Sequence, residues 1–202
     1  MDADDTLAPP AARIEWTEGR WTNAPAASET IGGALRVTAV EGSDAWRRTA
    51  YGFVHDSEHA LVAPLPVGSA MEVVVDADFS GEFDQAGLFV RADAERWTKA
   101  GVEFADGVLG AGAVVTDGRS DWSVGAVPEW AGRRLRVRIS RGEDALTVRA
   151  GIDGEPLRLL RVAPFPGDLV AEAGPFLCAP TRAGFEVVFT GWRRTAADLS
   201  LH

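Results

Sequence analysis

Residues 84–104 read Asp-Gln-Ala-Gly-Leu-Phe-Val-Arg, a short polar break, then Trp-Thr-Lys-Ala-Gly-Val-Glu-Phe, and this stretch decides the fold. With a turn at Ala92 to Arg96 it forms a hairpin whose side chains alternate between two faces. Ala86, Leu88 and Val90 fall on one side with Thr98, Ala100, Val102 and Phe104, an apolar set suited to a core. Gln85, Gly87, Phe89 and Arg91 fall on the other with Trp97, Lys99, Gly101 and Glu103, a polar and aromatic set suited to the floor of a site.

The simplest register sets Arg91 opposite Trp97, Phe89 opposite Lys99, Gly87 opposite Gly101 and Gln85 opposite Glu103. Cations beside rings are favourable, and cross-strand pairs contribute about 0.2–1 kcal/mol each. Facing glycines weaken a strand, so they imply close approach by a ligand or by other backbone. Lys99 and Glu103 lie about 13 Å apart along an extended strand, too far to bond directly, and read as two walls with Gly101 between them.

Lys99 is the only lysine among 20 basic residues, which marks a position calling for a compact ammonium rather than a guanidinium. An unpaired buried ammonium costs several kcal/mol, so Lys99 needs a wet groove or a carboxylate from a neighbouring strand.

Outward from the hairpin, the chain of 202 residues is long enough for one domain with a substantial core. Its net charge of −10 argues against nucleic acid or an anionic membrane as partner. The single cysteine, Cys178, excludes an intramolecular disulfide. No apolar run approaches membrane-spanning length, and a soluble cytoplasmic protein is expected. Residues 1–12 are acidic and proline-containing, a flexible lead-in to a domain over residues 13–202.

Strand patterns recur with turn signals between them, and no segment carries a helical period. Ile31–Val40 and Ala70–Phe79 read as strands from their branched residues, Arg134–Ser140 and Ala145–Ile152 alternate strictly, and Phe185, Val187 and Phe189 share one face of a last strand. Asp106-Gly107 and Asp153-Gly154 are hairpin turns. Pairing across the first sets Gly112 opposite Gly101, so a glycine row crosses three strands; it either floors a trough for a flat hydroxylated ligand or accommodates sheet curvature. His55 and His59 flank Glu58 in a metal-like spacing, but that geometry needs a helix, and a turn between strands fits better. Roughly a dozen strands imply an all-β, two-sheet antiparallel β-sandwich.

Several motifs together resemble the family of the fungal regulator of enolase. They are Asp84-Gln-Ala-Gly-Leu with Arg91, Trp97-x-Lys99-x-Gly101-x-Glu103, Val115-Thr116 and Ser120-Asp121-Trp122-Ser123. Trp21-x-Asn23-x-Pro25, Asp44-x-Trp46-Arg47, Asp153-Gly154 and Gly184-Phe185 extend the resemblance over nearly the whole chain. It implies a concanavalin A-like lectin/glucanase jelly roll and saccharide binding; a similar Asp-Gln-Ala-Gly pattern occurs in accessory sandwich domains of some glycosidases. It implies no reaction.

The leading expectation is a non-catalytic sandwich that binds a carbohydrate or small metabolite without cofactor or metal. Gln85, Lys99, Glu103 and Asp121 would bond hydroxyls, Trp97 or Trp122 would stack on a sugar face, and Arg91, Gly101, Asp44 and Trp46 complete the candidate set. A protein-interaction module acting on a metabolic enzyme is the second expectation. The third is a weak glycoside-processing enzyme, for which Glu103 and Asp121 would have to serve as the carboxyl pair about 5–9.5 Å apart. The Glu-x-Asp-x-x-Glu strand of glucanases with this fold is absent from the sequence, as are a Ser/His/Asp signature and a phosphate loop.

Overall fold

The computed structural model describes residues 11–198, 200 and 201, so the lead-in expected over residues 1–12 falls almost wholly outside the described residues. In chain order the strands begin with β1 (Ala12–Arg13), β2 (Arg20–Trp21), β3 (Ala27–Ile31), β4 (Ala34–Thr38), β5 (Ala45–Arg47) and β6 (Val54–Asp56). Next come β7 (His59–Pro64), β8 (Ser69–Ala77), β9 (Gln85–Arg91), β10 (Arg96–Ala105), β11 (Val108–Asp117) and β12 (Arg119–Ala126). The chain closes with β13 (Leu135–Arg141), β14 (Ala145–Ile152), β15 (Arg158–Pro164), β16 (Glu172–Cys178) and β17 (Glu186–Ala196). Two single 3₁₀ turns, Trp16–Glu18 and Pro128–Trp130, are the only helical segments among the described residues.

These strands form two large sheets. One runs β15-β14-β13-β8-β17-β4-β3, with β1 added beside β17; the other runs β12-β11-β10-β9-β16-β7-β2. The strand ladders are antiparallel throughout, giving the expected concanavalin A-like jelly-roll sandwich. Alternation explains the core between the sheets. Leu135, Val137 and Ile139 face inward from β13, and Val187 and Phe189 from β17, against Ala86, Leu88, Val90, Ala100 and Val102 of the second sheet. Arg136 and Arg138 point outward, where they meet Glu72. Arg138 and Arg149 also converge on Asp198.

The central hairpin has the register expected of it. Trp97 faces Arg91, Lys99 faces Phe89, Gly101 faces Gly87 and Glu103 faces Gln85. Asp106 and Gly107 both have positive φ, 53° and 76°, as a type I′ turn requires. The next strand then brings Gly112 opposite Gly101.

For the facing glycines, close approach of other backbone is what the packing displays. A Cβ on Gly101 would lie 2.2 Å from the Ala86 carbonyl oxygen, and one on Gly112 would lie 2.0 Å from that of Ser123. Gly101 also has φ of 155°, outside the range that L side chains favour. Gly125, on the neighbouring strand, has open space around it and an ordinary φ. Gly101→Ala is therefore expected to lower the unfolding free energy in urea by about 2–4 kcal/mol, and Gly125→Ala to change it by less than about 0.5 kcal/mol. Equal losses in the two variants would show that the row has no such packing role.

Candidate functional site

The outer face of the second sheet carries the polar and aromatic set of the central hairpin. The ladder places Lys99, Val114 and Trp122 in one row across β10, β11 and β12, and Trp97, Thr116 and Ser120 in the next. A bare sheet face of this kind would expose Phe89, Trp97, Val114 and Phe176 to water. Instead β5 and β6 pair with each other as a separate small hairpin that lies against it. Ala45 of that hairpin joins Phe89, Trp97, Val114, Phe176 and Cys178 in a second apolar cluster, with Trp46 packed on its edge.

Polar contacts pin the hairpin at both ends. At its base Asp44 Oδ1 accepts a 2.7 Å hydrogen bond from Lys99 Nζ. The same oxygen accepts from the Ala45 amide at 2.8 Å, while the Asp44 amide donates to Ser57 Oγ. Farther along, the Arg47 amide donates to Ser120 Oγ at 2.9 Å, and Ser120 in turn bonds Thr116. The Arg47 guanidinium pairs with Glu95. Of the two environments open to Lys99, it has the carboxylate. Burial is the largest single influence and would push its ammonium pKa down, but the charges of Asp44, Cys178 and Glu103 and the hydrogen bond to Asp44 together hold the pKa above its ordinary value.

Between the hairpin and the sheet lies a cavity of about 450 Å³, within the range of about 300–1,000 Å³ usual for small-molecule sites. Asp44, Gln85, Lys99 and Glu103 form its polar floor. Trp46, Tyr51, Phe53 and His55 wall it from the hairpin side, with Phe83 and Trp122 opposite. The hairpin rings buttress one another: Tyr51 stacks on Phe53 with centroids 5.3 Å apart, and Trp46 meets Tyr51 edge-on at 5.9 Å. The tip that carries them turns through positive φ at Arg48, Ala50 and Gly52. Phe83 also has a positive φ of 64°. It is held there by a loop whose Ser80 and Gly81 amides donate to the fully buried Asp84, itself clamped by Arg182.

Glu103 has the chemistry most changed by the site. Burial raises its pKa to about 7; Lys99 opposes that rise, and the carboxylates of Asp44 and Glu82 add to it. Its side chain is thus a hydrogen-bond donor below neutrality and a carboxylate above it. Gln85, directly across the ladder, keeps Oε1 buried with no hydrogen-bond partner among the described residues, its Nε2 reaching Asp44 at 3.5 Å.

Not every expected residue lies in this cavity. Gln85, Lys99, Glu103, Trp122, Asp44 and Trp46 do, while Gly101 lines the shallow trough beside it. Lys99 and Glu103 form one floor rather than two walls. Trp97 is buried in the second cluster, stacked on Phe89 at 5.5 Å, and offers no face to a ligand. Arg91 lies beyond it, near the buried Glu58, whose pKa is raised by burial against the pull of Thr22 and Arg91.

Asp121 needs a larger correction. The tight turn at Gly118 puts Ser120 and Trp122 on the Lys99 face, so Asp121 and Ser123 point the other way. There Arg161 bonds both, Asp121 at 2.7 Å and Ser123 at 3.2 Å. With β11 between their strands and opposite faces occupied, Glu103 and Asp121 do not make a carboxyl pair.

His59 is likewise remote from metal chemistry: Nε2 accepts from the Val40 amide, leaving Nδ1–H to donate to the Asn23 carbonyl. His55 belongs to the cavity wall. Among the described residues no group of three His, Cys, Asp or Glu is placed to hold a metal. Tyr51, Phe53 and Phe83 went unassigned in the sequence because they sit in turns and loops, where alternation carries no information on facing, and His55, weighed there only for metal spacing, lies on the short strand β6. The one available signal was density, three aromatic or imidazole rings within residues 51–55.

Comparison with known proteins places the chain in a family. The family described as Protein of unknown function (DUF1349) matches residues 21–197. Regulation of enolase protein 1 of Saccharomyces cerevisiae is 35% identical over 182 residues, covering 90% of this chain and 91% of the yeast protein. The crystal structure of a functionally unknown protein from Saccharomyces cerevisiae superposes with a TM-score of 0.86 at 34% identity, over 92% of this chain and 100% of that one. The fold also recurs in Bacteroides ovatus xyloglucan PUL GH43B, with a TM-score of 0.69 at 15% identity, where 98% of this chain matches 41% of the neighbour. With a family match across most of its length and a yeast relative similar almost end to end, the chain belongs to the DUF1349 family, the family of the fungal regulator of enolase.

Proposed function

We propose that this protein binds a small hydroxylated ligand, a saccharide or a similar metabolite, in the cavity beneath the β5–β6 hairpin, without catalysing a reaction on it. The observation that carries the reading is the composition of that cavity: aromatic walls around a floor of Lys99, Asp44, Gln85 and Glu103. Rings accept the apolar face of a sugar, and a few convergent polar groups fix its orientation. The GH43 neighbours have the same fold, and their names place them among glycoside-acting proteins, a circumstance in keeping with a saccharide ligand. The single cysteine, Cys178, is buried and free, which suits a reducing cytoplasmic setting.

A thermal-shift screen against sugars and metabolites tests the reading. A ligand at about 100 times its Kd adds about 2.7 kcal/mol to stability and raises the midpoint by several degrees. Trp122 is 45% exposed, so Trp122→Ala should leave the fold intact and abolish the shift. A shift that persists in both Trp122→Ala and Trp46→Ala would place the ligand elsewhere.

The yeast relative's name favours a second reading, in which the protein acts on a metabolic enzyme of the enolase kind. A pull-down from its own cell extract is then expected to recover that enzyme in stoichiometric amount, and failure to do so at low salt would remove the reading.

The protonation of Glu103 gives this site a measurable pH signature. Its folded pKa of about 7 stands above the ordinary 4.5, so between these values the folded state holds more protons than the unfolded state. Stability contributed by Glu103 is present at acid pH and is lost as pH rises from about 4.5 through about 7. Glu103→Gln should remove that loss, making the variant more stable than the native protein by about 2–3 kcal/mol at pH 8 relative to pH 5. Parallel urea-unfolding curves for the two proteins from pH 5 to 8 would contradict it.

A further inference from the structure

We infer that the cavity is selective for charge: it accepts an uncharged polyhydroxylated ring and rejects the phosphate esters and carboxylates of that ring. This rests on the ligand-binding reading above and narrows it to one class.

The ionisable groups that face Glu103 and the cavity come from several elements. They are Lys99 on its own strand, Asp44 at the base of the hairpin, Glu82 on the loop before β9, Cys178 on β16, His55 on β6 and Tyr51 at the hairpin tip. Among the described residues Lys99 is the only lysine or arginine lining the cavity, and its charge is already matched by Asp44, 2.7 Å from its ammonium. A phosphate or carboxylate site ordinarily offers an unspent arginine or lysine, or a helix N-terminus. This cavity offers neither, and no α-helix is present among the described residues. The remaining ionisable side chains at the floor are acids. When Glu103 ionises, a ligand anion would meet two carboxylates and one ammonium already engaged.

Gln85 supplies an independent sign of the ligand's chemistry. Its side chain is 4% exposed, lines the cavity, and keeps Oε1 without a hydrogen-bond partner among the described residues. A buried carbonyl oxygen in that state requires a donor. A ring hydroxyl is such a donor, whereas the phosphate dianion or carboxylate group itself accepts only, so Gln85 calls for a hydroxyl at this point of the floor and gives an anionic group nothing to bond. Trp46 already donates its indole N–H to the Thr49 carbonyl at 2.9 Å, so it has an apolar face to offer but no free donor for an anion.

Titration calorimetry on the whole chain decides the matter with matched probes. The neutral set is glucose, galactose, mannose, xylose and N-acetylglucosamine; the charged set is glucose 1-phosphate, glucose 6-phosphate, glucuronate and galacturonate. At pH 8 at least one neutral sugar should bind, and its charged counterpart at least about tenfold more weakly. The gap should narrow at pH 6, where Glu103 is protonated, and Glu103→Gln should show the narrower gap already at pH 8. A charged sugar that binds as tightly as its neutral parent, with binding lost in Trp122→Ala, overturns charge selectivity and leaves the binding reading standing. Absence of binding by both sets overturns both.

Discussion

A single buried charge governs the outer face of the second sheet. Lys99 projects from the middle of β10 into a position that water scarcely reaches, and its ammonium must be met there by an opposite charge. Asp44 is that charge, 55 residues away in sequence. Because Asp44 sits at the base of β5, meeting Lys99 fixes the hairpin over the sheet rather than beside it. The aromatic walls then stand where they do because their strand pair is held at this one point and again at Ser120. Breaking such a buried pair by removing one partner costs about 3–5 kcal/mol, so the pair acts as a registration device as much as a source of polarity.

The glycine row has a complementary role. It permits β9, β10, β11 and β12 to approach until carbonyl oxygens occupy the space a Cβ would fill. The sheet face is left without side-chain bulk along that row, and the shallow trough beside the cavity follows its course. Close strand packing and an open trough are thus two results of one choice of residue.

Much of this was legible in the sequence where period two applies. The register of β9, β10 and β11, the core set Ala86, Leu88, Val90 and Ala100, and the shared face of Gln85, Lys99 and Glu103 all follow from alternation and a well-typed turn at Asp106-Gly107. Legibility ended at the turn around Gly118, whose one-residue connection decides whether Ser120 or Asp121 faces Lys99. It ended again at Trp97, because alternation tells which face a ring is on but not whether another element covers it. The covering element is a hairpin with short strands and a tip through left-handed conformations, features that hydrophobic pattern does not encode. Asp44 and Trp46 stood out only through family resemblance, since nothing local to residues 44–46 reports a lysine so far along the chain.

The second sheet separates two apolar clusters that do not share a side chain. The larger one stabilises the sandwich; the smaller one only seats the hairpin. Tyr51 and Phe53 belong to neither cluster and stand well exposed at the tip. Substitutions there leave the sandwich core untouched, whereas the glycine row and the Lys99–Asp44 pair tolerate little. The architecture therefore divides the chain into a frame whose side chains are mutually constrained and a rim whose side chains can change without compensating changes in the fold.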